Sequence, residues 1–319
     1  MQKIFNLFPF LVFVLLFSAC SSSTSGDGDN GDDPNDPNAD TSQSLFFVLD
    51  EIIFPTGGEV FGFDLDGEGA SVASCNKEDL AGNVDNQLGS VLQGLPVVDD
   101  DTLTLADTLN DSVVDFIADG TLLAAGEISG IDDFQNDSYV RLDIYALRVP
   151  EGKTAPDVDA NGVLLADQTF DIDPSSLNAG APVMRFDNLA IIDGQIDSGP
   201  AESAESAVIL LRAPLGAHLY ELRLTWARIA FDLTETRITN GMIGGVADVS
   251  TFGSQLECSG AVQVASIDDT LGLVADFSNS GDATNKNCQG VSMGVSFKGI
   301  PVVKGGVGLP ADVGACAAN

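Results

Sequence analysis

The chain has 319 residues, a formal net charge of -35 and hydrophobic residues at 44% of its positions. This hydrophobic content is ordinary for a globular protein, so the chain as a whole is not disordered. The strong negative charge repels nucleic acid and anionic lipid headgroups and excludes both as partners, while it is compatible with divalent-cation binding.

The first twenty residues have the pattern of a secretory signal peptide. Lys3 gives a positive start, residues 5–17 are mostly apolar, and the small residues Ser18 and Ala19 precede Cys20. The apolar run is too short to remain as a membrane-spanning helix. We therefore predict a signal peptide at residues 1–19 that is cleaved directly before Cys20.

The residues around this cleavage point, LFSAC at 16–20, resemble a bacterial lipobox, with Phe17 where leucine is usual. The resemblance implies that the Cys20 thiol is lipidated and becomes the mature N-terminus. Each buried methylene contributes about 0.8 kcal/mol to membrane attachment, so two or three acyl chains anchor a protein stably. Ser21 stands in the position where Asp would follow the cysteine, and by resemblance to Gram-negative lipoproteins this implies the outer rather than the inner membrane. The alternative is a plain signal peptide with Cys20 as an incidental free thiol.

Residues 20–44 are predicted to be a disordered tether that begins at the lipidated cysteine. The segment is rich in Ser, Gly and Asp and contains no aliphatic residue larger than alanine, so it cannot bury enough surface to offset its ordering entropy. Its aspartates resemble a thrombospondin-type acidic repeat, but the EF-hand spacing is not met and no Glu closes a loop. A solvated spacer is therefore favoured over a calcium site in this segment.

Residues 45–319 are predicted to form a β-rich extracytoplasmic domain. Apolar or alternating runs predict strands at residues 45–54, 60–65, 113–117, 121–128, 139–149, 163–170, 183–192, 207–212 and 218–233. In the last of these, the apolar phase shifts between Trp226 and Ile229, which predicts a β-bulge. Asn240-Gly241, between apolar residues, predicts a hairpin turn.

Two segments have helical apolar spacing, at residues 84–95 and 267–274, and Ser266 occupies the N-cap position of the second. About a dozen strands with two short helices predict a mainly β fold, a β-sandwich of jelly-roll or lectin-like type.

The cysteine count indicates two disulfides. With Cys20 set aside, four cysteines remain, and an even number in an exported chain allows three connectivities. Cys288 and Cys316 flank the last strand-like segments, so we predict a bond between them and a second bond between Cys75 and Cys258. Buried free thiols are the alternative. A metal cluster is disfavoured, because the sequence has no C-x-x-C spacing and one histidine.

One motif suggests an enzyme. Residues 290–294 match G-x-S-x-G, the nucleophile elbow of α/β-hydrolases, which requires a strand-turn-helix and a later histidine. The residues around Ser292 alternate as in a strand, and no histidine follows. We therefore predict a strand face packed with small residues and no catalytic residue. His218, the single imidazole, is predicted to be a polar residue at the start of a strand.

An acidic cluster near residues 64–86 predicts a calcium site. Asp64 and Asp66 project from one face at a strand end, and the following loop returns nearby if Cys75 is tied down. Calcium prefers six to eight oxygen ligands, and crowded carboxylates repel one another without a cation. The predicted ligands are Asp64, Asp66, Asp79, Asp85 and Asn86. The alternative is a solvated acidic loop in which Asp85 or Asn83 caps the helix.

Several stretches carry a family resemblance: the lipobox, the Gly/Asp-rich tether, GFDLDG…C…VDNQLG at residues 62–89, IDGQIDSGP at 192–200 and NGMIGGVAD at 240–248. Together they resemble bacterial, myxobacterial-type outer-membrane lipoproteins, a family to which no activity is attached. The resemblance covers most of the chain and implies a location, not a chemistry.

The sequence thus favours a non-catalytic, membrane-anchored lipoprotein with a binding or structural β-domain that calcium would stabilise, with an extracellular glycan or protein as partner. The alternative is a surface-tethered hydrolase of glycosidase or esterase type, which would need two carboxylates in a groove, one with a raised pKa.

Overall fold

A computed structural model describes residues 43–67, 75, 77–94, 103–201, 207–215, 218–259, 267–278 and 288–309. All of these belong to one compact unit, Asp32–Asn319. The predicted signal peptide, Cys20 and nearly all of the tether lie outside the described residues, as do Ser266 and Cys316.

The described part of the chain contains fourteen strands and four α-helices. The strands are β1 Gln43–Ile53, β2 Ala124–Ile131, β3 Asn136–Arg148, β4 Thr169–Ile172, β5 Leu177–Asn178, β6 Ala181–Pro182, β7 Met184–Ile192, β8 Gln195–Asp197, β9 Ile209–Leu215, β10 His218–Thr234, β11 Arg237–Asp248, β12 Phe277–Ser278, β13 Cys288–Pro301 and β14 Val303–Val307. The helices are α1 Gln87–Gly94, α2 Leu105–Asp119, α3 Val249–Ser259 and α4 Ile267–Val274.

Eight antiparallel strands form a closed barrel in the order β3-β2-β1-β13-β11-β10-β8-β7, and β7 pairs back onto β3. The predicted β-sandwich is therefore wrong. The physical reason lies in β3, whose 13 residues are long enough to pair with β2 on one edge and with β7 on the other. A sandwich would have left two sheet edges open, whereas this ring has none. Strands β4, β9, β12 and β14 extend the sheet outside the ring.

The inside of the barrel is filled by aromatic rings. The Phe47 and Phe231 ring centroids lie 6.0 Å apart, and so do those of Phe231 and Phe297. Strands β1 and β10 are not neighbours in the sheet, so these rings can meet only across the interior. Glycines make the room: a Cβ at Gly126 would lie 2.3 Å from the Phe47 ring, and one at Gly241 would lie 2.6 Å from the Phe297 ring. The barrel centre is therefore a packed core.

This packing explains one wrong prediction. Asn240-Gly241 does not form a hairpin turn but lies inside β11, at a register shift against β13. Gly241 is needed because the Phe297 ring lies against it, not because the chain reverses. The reversal falls at residues 235–236, between β10 and β11.

Some of the other local predictions are confirmed, and others are wrong. The bulge in β10 is confirmed by a register shift between Thr225 and Arg228, and α1 and α4 confirm the two predicted helices. The predicted strand at 113–117 is wrong, because those residues belong to α2, which begins with a capping box between Thr104 and Asp107. The predicted strand at 60–65 is also wrong, since only Phe63 forms a bridge there, to Asp85.

We expect Phe231→Ala to lower the free energy of unfolding by about 3–5 kcal/mol, because it removes the ring that contacts both other phenylalanines. The matched control is Val114→Ala on the outside of α2, where the side chain is 56% exposed and the change should stay within about 0.5 kcal/mol. Urea unfolding followed by circular dichroism measures both. Similar losses in the two variants would contradict a ring-packed interior.

Candidate functional site

The candidate site is built on strand β13 where residues 61–67 cross it. A Cβ at Gly294 would lie 2.3 Å from the Phe61 carbonyl oxygen, so only glycine lets the crossing segment lie this close. The Asn86 side-chain Nδ2 donates to the Phe61 carbonyl at 2.5 Å and to the Gly294 carbonyl at 3.1 Å. Asn86 thus fastens the crossing segment to the barrel.

Asn86 is also the cap of α1. Its Oδ1 accepts a hydrogen bond from Gly89 N at 2.8 Å, the usual N-cap contact with the third residue of the helix. Neither Asp85 nor Asn83, the two caps considered from the sequence, makes this contact. Asn86 is 1% exposed and both ends of its amide are engaged in the protein, so its side chain has a structural role, while its part as a calcium ligand stays a prediction.

Three of the predicted ligands do come together. One carboxylate oxygen from each of Asp64, Asp66 and Asp79 lies within 4.8 Å of the others, and all three residues are half-buried. Asp64 is held in place by Gly67 N, which donates to its Oδ1 at 2.6 Å. A Ca²⁺–oxygen bond of about 2.3–2.6 Å places opposite ligands about 4.8 Å apart, so one ion can bridge oxygens at this spacing. We call these three residues the aspartate cluster.

Asp85 lies beside the aspartate cluster, but its carboxylate is buried and turned to the backbone. Its Oδ2 accepts from Leu65 N at 2.6 Å and from Asp66 N at 3.4 Å. Burial is the main cause that raises the pKa of Asp85 to about 7, and the negative charges of Asp66, Asp276 and Asp79 raise it further. The hydrogen bond from Leu65 opposes this rise without cancelling it.

A second buried acid, Asp276, was missed in the sequence. It lies two residues after the end of α4 and accepts hydrogen bonds from Ser292 N, at 2.8 Å, and from Ser292 Oγ. Burial raises its pKa to about 6, although the Ser292 contacts lower it. Nothing in the local sequence marks this residue, because its hydrogen-bond partner, Ser292, is supplied by β13.

Ser292 is part of this polar contact and not a nucleophile elbow. It is fully buried in the middle of β13, and its Oγ accepts from Gln87 N at 3.0 Å while donating to Asp276. The strand predicted for the G-x-S-x-G motif is confirmed. His218 is the first residue of β10, as predicted, and its side chain lies outside the described part of the structure.

A disulfide closes the loop that carries the aspartate cluster. Cys75 is bonded to Cys288, at the start of β13. The predicted pairings Cys75–Cys258 and Cys288–Cys316 are therefore wrong. The first pairing was predicted because Cys288 and Cys316 flank the last strand-like segments, and the second followed from it, whereas the bond joins residues 213 positions apart. Such a long-range bond restricts the unfolded chain and holds the loop against the barrel.

Aromatic residues pack next to the acids. Leu65, which lies between Asp64 and Asp66, forms a small hydrophobic cluster with Val246 and Phe277, and Phe63 and Trp226 pack against it. The Trp226 and Phe277 ring centroids are 6.4 Å apart. Trp226 is the single tryptophan of the chain, so its fluorescence reports on this one region.

Fold and site together define a closed, antiparallel eight-stranded barrel with an acidic, disulfide-closed segment on its outer face. Comparison of the chain with protein-family models, with curated proteins and with solved structures returns no match. Among the described residues, no helix has the length and apolar character needed to cross a membrane.

The two raised pKa values predict how stability depends on pH. Burial raises the pKa of Asp85 to about 7 and that of Asp276 to about 6 in the folded protein, whereas in the unfolded chain both carboxyls have the ordinary aspartate pKa of 3.8. The folded state therefore binds more protons across this range, and the free energy of unfolding falls as the pH rises from about 4 to about 7.

We expect Asp85→Asn, which resembles the protonated acid, to remove up to about 4 kcal/mol of this fall, at about 1.4 kcal/mol per pKa unit. Thermal melts in EDTA at pH 4, 5, 6 and 7 measure the slope. Asp111→Asn, an exposed site on α2, is the control and should keep the slope of the native protein. A slope that is unchanged in Asp85→Asn would contradict the assignment.

Proposed function

We propose that this protein is a lipid-anchored extracytoplasmic lipoprotein with a non-catalytic barrel domain, which serves a binding or structural role and takes up calcium at the aspartate cluster. The observation that carries the proposal is the spacing of three carboxylate oxygens within 4.8 Å, on a segment fixed to β13. Three carboxylates supply up to six oxygens if each binds through both, and carbonyl or water oxygens can complete the six to eight that calcium prefers.

Electrostatics supports a cation at this position. Asp64, Asp66 and Asp79 crowd three negative charges beside the two buried acids, and the repulsion contributes to the raised pKa of Asp85. A divalent cation would replace that repulsion with attraction. The disulfide and the Asn86 contacts keep the ligands close, so little ordering entropy would oppose binding.

The membrane anchor is proposed from the sequence. Residues 1–20 combine a signal peptide with a lipobox-like end, and the tether that follows has a composition suited to a solvated spacer. Acyl chains on Cys20 would hold the barrel at the bacterial outer membrane, with an extracellular glycan or protein as its partner.

Calcium is expected to raise the thermal stability of the protein and to change the fluorescence of Trp226. At a calcium concentration about 100-fold above Kd, the gain in the free energy of unfolding is about 2.7 kcal/mol. The measurement is a calcium titration of tryptophan emission, paired with melts in EDTA and in calcium.

The matched variants for this test are Asp64→Asn with Asp66→Asn, which keep an acceptor for Gly67 N but remove two charges, and Asp111→Asn as control. We expect the double variant to lose both responses and the control to keep both. If calcium still saturates the fluorescence response of the double variant, calcium binds outside the aspartate cluster. If the native protein shows no change in emission or melting temperature with calcium, the metal is removed from the proposal.

The anchor is tested by Cys20→Ser in the full-length chain, expressed in a Gram-negative host with labelled palmitate. We expect the native protein to carry label and to sediment with outer membranes, and the variant to carry none and to leave the membrane fraction. An unlabelled native protein would instead indicate a plain signal peptide.

A further inference from the structure

A second polar site lies at one end of the barrel, around the start of β1. A cleft of about 540 Å³ separates the loop between β2 and β3 from the turn between β10 and β11. This volume is within the range of about 300–1,000 Å³ in which small molecules bind proteins, and the cleft is open to solvent, since seven of its eight lining residues are exposed. The cleft shares no residue with the aspartate cluster.

The walls of the cleft are fixed by hydrogen bonds within the barrel. In the first loop, the Gln135 carbonyl accepts from Gly194 N at 2.8 Å, and Asp132 N donates to the Asp137 carboxylate at 2.7 Å. In the facing turn, Arg237 N donates to the Thr234 hydroxyl at 3.0 Å. The loop backbones are therefore already ordered, and a ligand would have to order only the exposed side chains.

The lining chemistry is acidic and rich in hydrogen-bonding groups. It comprises three carboxylates, two amides, two hydroxyls and one half-buried phenyl ring, from Asp132, Asp133, Glu235, Gln43, Gln135, Thr234, Thr236 and Phe134. None of the lining residues is basic. The carboxylates favour a ligand with positive charge, and the amides and hydroxyls suit a ligand that also carries hydroxyl groups.

A single metal ion does not fit this description. Within the described part of the chain, the one group of acidic residues with oxygens close enough for an ion is the aspartate cluster, so the cleft carboxylates are not gathered around one point. Charges spread along the walls suit a ligand whose cationic groups are also separated.

We propose that the cleft binds an amino sugar, a short oligosaccharide with free amino groups. The ammonium groups would pair with Asp133 and Glu235, the sugar hydroxyls with the two amides and the threonines, and a sugar face with Phe134. This inference rests on the binding role proposed above and names its ligand class, but it does not require calcium.

The test is calorimetric titration of the protein with the β-1,4-linked glucosamine trimer, its fully N-acetylated form and trilysine. We expect saturable binding of the glucosamine trimer. The affinity should be lower by about tenfold or more for the acetylated trimer, which has lost its charge. The affinity for trilysine, which has no hydroxyls, should be lower by a similar factor. If the glucosamine trimer shows no saturable binding, the proposal is overturned. If trilysine binds as tightly as the glucosamine trimer, the proposal is also overturned and the cleft is assigned to a basic peptide.

Variants locate the binding. Asp133→Asn combined with Glu235→Gln keeps the shape of the cleft and should weaken binding by about tenfold or more. Asp111→Asn combined with Asp115→Asn removes the same charge from exposed positions of α2 and should change binding by less than about twofold. Equal losses of affinity in the two double variants would indicate general attraction of the ligand to an acidic protein. That result would overturn the assignment of binding to the cleft.

Repeating the titration in EDTA and in calcium separates this proposal from the metal proposal. Binding that is the same in both solutions supports the cleft, even if the Trp226 emission shows no calcium response. Binding that disappears in EDTA would place the sugar at a metal site and overturn the assignment to the cleft.

Discussion

The pairing of β3 with β7 is the constraint on which the rest of the structure depends. It closes the sheet, so one face of every ring strand is turned towards a common interior. An eight-stranded barrel is about wide enough to be filled by its own side chains. Phe47, Phe231 and Phe297 help to fill this one, and glycines paired with Phe47 and Phe297 on the neighbouring strands make room for the rings. Function must therefore be sought on the outer face or at the ends of the barrel.

The outer face of β13 shows how an irregular segment is held without regular strand pairing. Gly294 permits close approach, Asn86 joins two carbonyls and a helix start, and the Cys75–Cys288 bond fixes the loop. This arrangement buries Asp85 and Asp276, which raises the pKa of both. Both acids remain hydrogen-bonded, as buried polar groups must be, yet burial still disfavours their charged forms.

Features set by neighbouring residues could be predicted from the sequence, and features set by distant residues could not. The bulge in β10 follows from a phase shift within one strand. Closure of the barrel depends on β3 pairing with a strand some 50 residues later, which no local pattern encodes, and the same inventory of strands also suits a sandwich. α2 was missed because residues 113–117 were interpreted without the apolar residues Leu105 and Leu109, which continue their helical spacing upstream.

The same distinction between neighbouring and distant residues applies to the candidate site. Asp64 and Asp66 are two residues apart, and the return of Asp79 needed only one loop, so the gathering of these three could be expected from the sequence. The roles of Asn86 and Asp276 could not, because both are decided by contacts with β13, more than 200 positions from Asn86 and 16 positions from Asp276 across a change of direction. The disulfide pairing failed for the same reason.

The buried acids and the aspartate cluster form one electrostatic unit, and this links the proposed calcium binding to proton release. Asp66 and Asp79 are among the charges that raise the pKa of Asp85. A cation held by them would act on Asp85 with the opposite sign and lower its pKa, while the burial effect stayed the same. Proton release from Asp85 would in turn strengthen the negative potential that attracts the cation. Calcium affinity should therefore rise with pH where Asp85 titrates, because binding and deprotonation favour each other. Above pH 7 the charged, buried acids lower the stability of the calcium-free protein. In the proposed calcium-bound state, attraction between the cation and these charges would stabilise the fold instead.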